Sequence, residues 1–483
     1  MKHAARLNRN ALPPGTSIPR PGIVHLGLGA FFRAHIATYL ADAMEASGGD
    51  WGVVGISLQS TATPDKLAPQ DNMYNAVEAG PTGHRFRLMC NITEAIAARG
   101  NPAAVLERMA DPSTKIVTLT VTEKGYCHEP ATGRLRRDAP EIKHDLIHPD
   151  APQTAIGYLV RALDLRRRAG HRPFTVLSCD NLPGNGHMTR ALVLEFAEAM
   201  DETLAVWIEA EARFPNCMVD RIVPATTEAD IDMVAAETGW LDLTPVIHEP
   251  FRQWVIEDDF VDDLRPAMEK TGAQMVRDVT PFEDMKLRCL NGTHSALAYL
   301  GYLSGYDTVN DTVADPVFET FCLRLWDTEI IPTLEPVPDM NMSAYSRQLL
   351  ERYHNQSIRH ATSQIAMDGS QKLPQRILGT IRDNLMRDHP CPGLFLVVAA
   401  WMKYASGVDE DGARINVSDP LAGRTAGLWQ NNPSARTRTN AFLAIRDVFG
   451  ARAEDRAFRV GLESACSELE TFGARGAVER SLQ

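Results

Sequence analysis

The stretch Met285-Lys286-Leu287-Arg288-Cys289-Leu290-Asn291-Gly292-Thr293-His294 brings an amine, an amide and an imidazole close together in the chain. On an α-helix Lys286, Asn291 and His294 span an arc of about 140°, so all three can face one cleft. A lysine that is desolvated and set beside other cations sheds its proton near neutrality and can act as a general base. Amide N–H groups can hold a developing alkoxide, and Asn181 offers a second one. It sits in Ser178-Cys179-Asp180-Asn181-Leu182-Pro183-Gly184, directly after an apolar strand. A base and a pair of oxyanion donors are what removal of a hydride from a secondary alcohol requires. Taken singly, each residue has an ordinary structural use: a solvated lysine, a turn-forming asparagine, a surface or core histidine.

A hydride needs an acceptor, and a glycine turn near the start of the chain is suited to hold one. Gly27-Leu28-Gly29-Ala30-Phe31-Phe32 carries two of the three glycines of the dinucleotide fingerprint, with Phe32 in the place of the third. The first two allow a tight turn and close approach of the backbone to a pyrophosphate at a helix N-terminus. Gly27, Gly29, Ala30, Phe31 and Phe32 are the expected cofactor contacts, with Arg33 as a cation beside them. The segment Gly55-Ile56-Ser57-Leu58-Gln59-Ser60 has no carboxylate for the adenosine ribose, and Lys66 is the only nearby cation. The expected cofactor is NAD, with NADP left open.

These residues need elements to position them. Residues 22–29 read as a strand ending in glycines, and 34–46 as a helix stopped by Ser47, Gly48 and Gly49. Further buried parallel strands are expected at 52–58, 116–121 and 174–179. From Pro281 the pattern turns to long helical segments such as 285–303, 344–353 and 393–404. The fold class is therefore α/β: a Rossmann-type parallel-sheet domain over 1–280 that binds the dinucleotide, and a mostly α-helical, substrate-binding domain over 281–483.

A chain of 483 residues is long enough for two such domains, and 44% hydrophobic with 23% charged residues is a globular composition. The net charge of -13 argues against nucleic acid or an anionic membrane as partner. The longest apolar run, 394–402, is too short for a membrane span, and with no apolar stretch before Pro13 no secretory signal is expected. A cytoplasmic protein with a small-molecule partner is expected, as a monomer or small homo-oligomer. Eight scattered cysteines read as reduced, mostly buried thiols. His144 and His148 have the spacing of a zinc-binding helix but lack its glutamate, and Pro149 follows at once, so no metal is expected.

Read in order, Gly27 to His35, Thr120-Val121-Thr122-Glu123-Lys124-Gly125-Tyr126, Ser178 to Asn181, Met218-Val219-Asp220-Arg221-Ile222-Val223-Pro224, Glu249-Pro250-Phe251-Arg252-Gln253-Trp254 and the lysine stretch resemble the mannitol dehydrogenase family over nearly the whole chain. The resemblance implies zinc-independent chemistry, with Lys286 as base, Asn181 and Asn291 on the reacting oxygen and His294 positioning the substrate. It also implies Glu123 near a proton exit path and Asp220 at the rim of the site. Gln364 stands where the mannitol-oxidising members, as aligned, carry arginine. The segment from Gln364 to Arg376 instead resembles the branch that interconverts D-mannonate and D-fructuronate. Lys372, Arg376, Arg359 and Arg288 are then the candidate partners of a substrate carboxylate. Mannitol or arabinitol oxidation is the alternative on the same fold, and a nucleotide or sugar sensor without catalysis a remoter one.

Overall fold

The computed structural model describes residues 4–129 and 132–483, and the chain divides into two compact units, Met1–Thr280 and Pro281–Gln483. The first unit contains the strands β1 (Pro21–Leu26), β2 (Gly52–Ser57), β3 (Tyr74–Gly80), β4 (Gly83–Met89), β5 (Ile92–Ala97), β6 (Ile116–Leu119), β7 (Thr175–Ser178), β8 (Cys217–Asp220), β9 (Val246–His248), β10 (Gln253–Glu257) and β11 (Gln274–Val276). Five of them form a parallel sheet in the order β5-β2-β1-β6-β7. Successive residues of these strands feed opposite faces. Val24, Leu26, Val117 and Leu119 join one apolar cluster, while Ile23 and Ile116 join the other. That two-sided burial is why the strands read as unbroken apolar runs rather than alternating ones. Chain order reverses direction across β1 and β6, the switch point where such sheets open a crevice at their carboxyl ends.

Beyond this sheet lie two three-stranded ones, β9-β3-β4 and β11-β10-β8, and a two-stranded parallel pair of Ala5–Arg6 with Trp240–Leu241. The helix after β1 comes in two pieces, α1 (Ala30–Ala34) and α2 (Ile36–Ser47), so it begins four residues before the expected start at Ala34. The short β1–α1 connection is Gly27-Leu28-Gly29. Rossmann-type architecture is thus realised in the first unit, with the glycine turn at the end of its central strand.

The second unit is helical. Its longest segments include α3 (Met342–Tyr353), α4 (Pro392–Ala405) and α5 (Arg456–Ser481). α4 is buried on almost every side, and Gly461 of α5 lets the two helices close up: a Cβ there would stand 2.5 Å from the Phe395 ring. The carboxylate of Glu329, only 2% exposed, accepts the N–H groups of Gly393 and Leu394 at the head of α4, at 2.9 and 2.8 Å. Those donors have no intrahelical partner, so a buried carboxylate replaces the water they would otherwise need. Among the described residues no helix is long and apolar enough to cross a membrane. All eight cysteines are free.

Candidate active site

In the first unit the glycine turn is held from below. Gly27 adopts φ +104, and a Cβ on it would lie 2.1 Å from the Thr120 carbonyl oxygen, so a side chain is barred by both torsion and space. Its own carbonyl accepts from His25 Nε2 at 2.9 Å and from Thr120 Oγ1 at 2.8 Å, while Thr118 Oγ1 bonds His25 Nδ1 at 2.8 Å. Burial pushes the His25 imidazole down to about 3, so it is neutral, with Nε2–H donating to the turn. Gly29, by contrast, is exposed, and the only atom near its missing Cβ is the Gly27 carbonyl oxygen at 3.7 Å. An open turn at the carboxyl end of the central strand, with bare backbone at Gly29 and half-exposed Ala30 and Phe31, fits a dinucleotide pyrophosphate.

Two expected cofactor contacts are corrected. Arg33 does not stand beside the turn as a free cation. It is 6% exposed, its Nε donates to the Gly29 carbonyl at 3.2 Å, its Nη1 donates to the Thr244 carbonyl, and it lies over the Tyr74 ring. Phe32 is fully buried and stacks on His25 with ring centroids 3.6 Å apart, so its side chain props the turn from the core side. Neither role follows from the fingerprint spacing, which says nothing about which way the helix side chains turn.

Asn181 follows β7 and is exposed, whereas its neighbour Asp180 is buried. Asp180 accepts the N–H groups of Val121 and Thr122 at 3.0 and 2.8 Å and the Tyr126 hydroxyl at 2.7 Å. It thereby fastens the loop that carries half-buried Glu123 to the end of β7. Thr122, just before Glu123, is held at φ +67, a conformation a β-branched residue adopts only under constraint. Asp220 closes β8 and is 4% exposed. The sequence around Asn181 does not signal the clamp by Asp180, because its partners Val121, Thr122 and Tyr126 lie far away in the chain.

In the second unit, Lys286, Asn291 and His294 are each 7% exposed. The helix that carries them is not regular. Lys286–Asn291 is a π-helical turn, followed by an α-helical stretch Gly292–Ala296 and a second π turn Leu297–Gly301. The arc expected for an α-helix is therefore superseded. With i→i+5 bonding, position 291 falls back toward position 286, and the amine and amide share a narrower face. Asn291 Nδ2 and His294 Nε2 are buried without a hydrogen-bond partner among the described residues, as is Nδ1 of His360, whose ring lies 5.3 Å from that of His294. Buried polar atoms left unmatched are rare and mark places where a ligand completes the set.

Cations surround this cluster. Burial, then His360, Arg352, Arg376 and Lys286, drive the His294 imidazole well below its usual range, so it is neutral. Burial and Arg376 bring the Lys372 amine down to about 8, and burial brings the Arg376 guanidinium to about 10. Arg376 Nη1 reaches only the Asn291 carbonyl at 3.5 Å and Ser295 Oγ at 3.4 Å, and Lys372 only the Ile365 carbonyl at 3.3 Å. Neither forms an ion pair among the described residues. Arg352, 8% exposed on α3, was missed because nothing in its sequence neighbourhood distinguishes it from a solvated helix residue. Arg288 is corrected: its Nη1 is paired with Asp383 at 2.7 Å and bonded to Thr333, which leaves it no part in holding a carboxylate. Arg359 and Gln364 are exposed.

Two family profiles match the chain, the mannitol dehydrogenase Rossmann domain over residues 21–270 and the mannitol dehydrogenase C-terminal domain over 278–469. The chain belongs to the mannitol dehydrogenase family. Its relatives within that family of oxidoreductases include D-mannonate oxidoreductase of Escherichia coli strain K12, 45% identical over 94% of this chain and 94% of that protein. Mannitol 2-dehydrogenase of Pyrenophora tritici-repentis is 38% identical over 95% of this chain and 82% of that protein. Among solved structures, Pseudomonas fluorescens mannitol 2-dehydrogenase in ternary complex with NAD and D-mannitol matches with a TM-score of 0.88 at 38% identity, covering 99% of each chain. Membership in the mannitol dehydrogenase family accords with a Rossmann-type unit that takes a nicotinamide cofactor.

Proposed function

We propose that this member of the family is an NAD-dependent dehydrogenase that interconverts D-mannonate and D-fructuronate. The observation that carries the choice of a sugar acid over a neutral polyol is the charge around His294. Arg376 and Lys372 are partly or largely withdrawn from water, and among the described residues neither forms an ion pair with a carboxylate, Asp368 and Asp419 acting on Lys372 only from a distance. A charged group so placed is costly unless a counter-ion arrives, and a substrate carboxylate is such a counter-ion. The 45% identity to a D-mannonate oxidoreductase supports the same branch.

In this reading Lys286 takes the proton of the C5 hydroxyl of D-mannonate, and the amides of Asn291 and Asn181 hold the oxygen as it becomes a carbonyl. His294, neutral, accepts or donates a hydrogen bond to a neighbouring hydroxyl and fixes the substrate's orientation, and Glu123 and Asp220 serve the proton path and the rim. Arg376 and Lys372 take the carboxylate. NAD, when bound at the Gly27–Gly29 turn, supplies the hydride acceptor. In the reverse direction protonated Lys286 returns its proton to the ketone of D-fructuronate.

The test follows nicotinamide absorbance with NADH or NADPH and D-fructuronate, and with NAD and D-mannonate, D-mannitol or D-arabinitol. Fructuronate with NADH is expected to give the highest kcat/KM. Faster turnover of mannitol than of mannonate would overturn the sugar-acid assignment, and binding without turnover of any of them would favour a sensor.

A further inference from the structure

The first unit holds a polar cavity, of about 410 Å3, whose walls come from α2, the β3–β4 hairpin and the segments that follow β8 and β9. Four guanidiniums line it, those of Arg85, Arg87, Arg221 and Arg252, against the carboxylates of Asp42 and Glu78. Arg85 pairs with Glu78, while Arg87 and Arg252 both pair with Asp42. Glu45, a further partner of Arg87, has its side chain 73% exposed and lies outside the lining. Within the lining itself guanidiniums outnumber carboxylates by four to two, while Glu45 and the buried Glu249 add negative charge behind it.

Arg221 feels the carboxylates of Glu249 and Glu78 but among the described residues forms a hydrogen bond to neither carboxylate. It is 8% exposed, and its hydrogen bonds go to neutral oxygens only: Nε to the Glu249 carbonyl at 3.1 Å, Nη1 to the Ala34 carbonyl at 2.6 Å and to Thr38 Oγ1. Its Nη2 has no partner among the described residues. His248, 4% exposed, stands beside it with Nδ1 donating to the Glu249 carbonyl at 2.8 Å, and its Nε2 bonds to no group among the described residues on this wall of the cavity. Burial and the neighbouring Arg221 keep that imidazole at about 3, hence neutral. Guanidinium forks suit tetrahedral oxyanions, and a neutral imidazole can accept from the P–OH of hydrogen phosphate or from a sugar hydroxyl of a phosphate ester. The size falls within the range of small-molecule pockets.

We infer that the cavity bounded by Arg85, Arg221, Arg252 and His248 is a binding site for a small phosphoryl dianion, with a lining that shares no residue with the glycine turn. The shared chemistry is a doubly charged phosphoryl group, either free hydrogen phosphate or the phosphate of a small sugar ester.

Titration calorimetry and thermal melting of the intact protein with inorganic phosphate, with glucose 6-phosphate, and with sodium chloride at matched ionic strength would test it. At least one phosphoryl ligand is expected to raise the melting midpoint above the chloride control, and the tighter of the two identifies the source. Arg221→Lys, which keeps the charge but loses the fork, is expected to weaken binding about tenfold. Should that variant fail to fold, Arg85→Gln on the exposed hairpin is judged by the same criterion. Equal midpoints in phosphate, glucose 6-phosphate and chloride would overturn the proposal, as would unchanged affinity in the deciding variant.

Discussion

Lys286 and Lys372 are two amines of the second unit that the proposed chemistry uses in opposite protonation states. Lys286 must be neutral to accept a proton from an alcohol, so replacing it with alanine removes general-base catalysis, worth about 10²- to 10⁴-fold in kcat. Purified Lys286→Ala protein assayed with mannonate should show that loss with KM little changed, and added methylamine should restore part of it. Lys372 must instead be charged to attract a carboxylate. Its amine titrates at about 8, lowered by burial and by Arg376, so it is cationic below that pH and neutral above it. KM for mannonate is therefore expected to climb as pH rises from 7 to 9. In Lys372→Met, KM should be raised and flat across the interval. A wild-type KM that does not change between pH 7 and 9 would remove Lys372 from the carboxylate site.

At the scale of elements, the head of α4 shows how one side chain secures a helix. Glu329→Ala would strand the N–H groups of Gly393 and Leu394 in the core, at a cost of about 2–5 kcal/mol. Thermal unfolding should register it as a clear drop in Tm, whereas the same substitution at exposed Glu351 should change Tm by little. Such a role is invisible in the sequence because Glu329 and Gly393 are far apart in the chain. What was legible had strong local signals. β1, β2, β6 and β7 are continuous apolar runs bounded by polar or glycine residues, and the Gly27 turn has a torsional need that glycine alone meets. The β3–β4 hairpin was not read, because Pro81-Thr82 lacks the usual turn signal and β3 is buried on both sides, so it does not alternate. The π turn at Lys286–Asn291 was not read either: its residues have ordinary helical propensity, and packing rather than sequence selects the extra residue in the turn. Of the candidate site, the residue types came from their spacing and the family likeness. The turning away of Arg33, the pairing of Arg288 and the burial of Arg352 depend on contacts made by distant segments.

On the scale of the whole molecule, an acidic protein acting on the proposed anionic substrate would set a long-range repulsion against a short-range attraction. The net charge of -13 is felt by an approaching carboxylate at distances of tens of ångströms, while Arg376 and Lys372 act only at contact. Salt separates the two. The Debye length is about 30 Å at 0.01 M and about 10 Å at 0.1 M ionic strength, so added salt shortens the reach of surface charge first and screens partly buried pairs much less. For mannonate, kcat/KM is accordingly expected to rise about twofold between 0.01 and 0.1 M sodium chloride, while kcat/KM for neutral mannitol stays level. If the site cations instead dominated the approach, the value for mannonate would fall over the same range. A fall of that kind would mean that the acidic surface lies away from the substrate's route, and that the cations near His294 steer as well as hold the carboxylate.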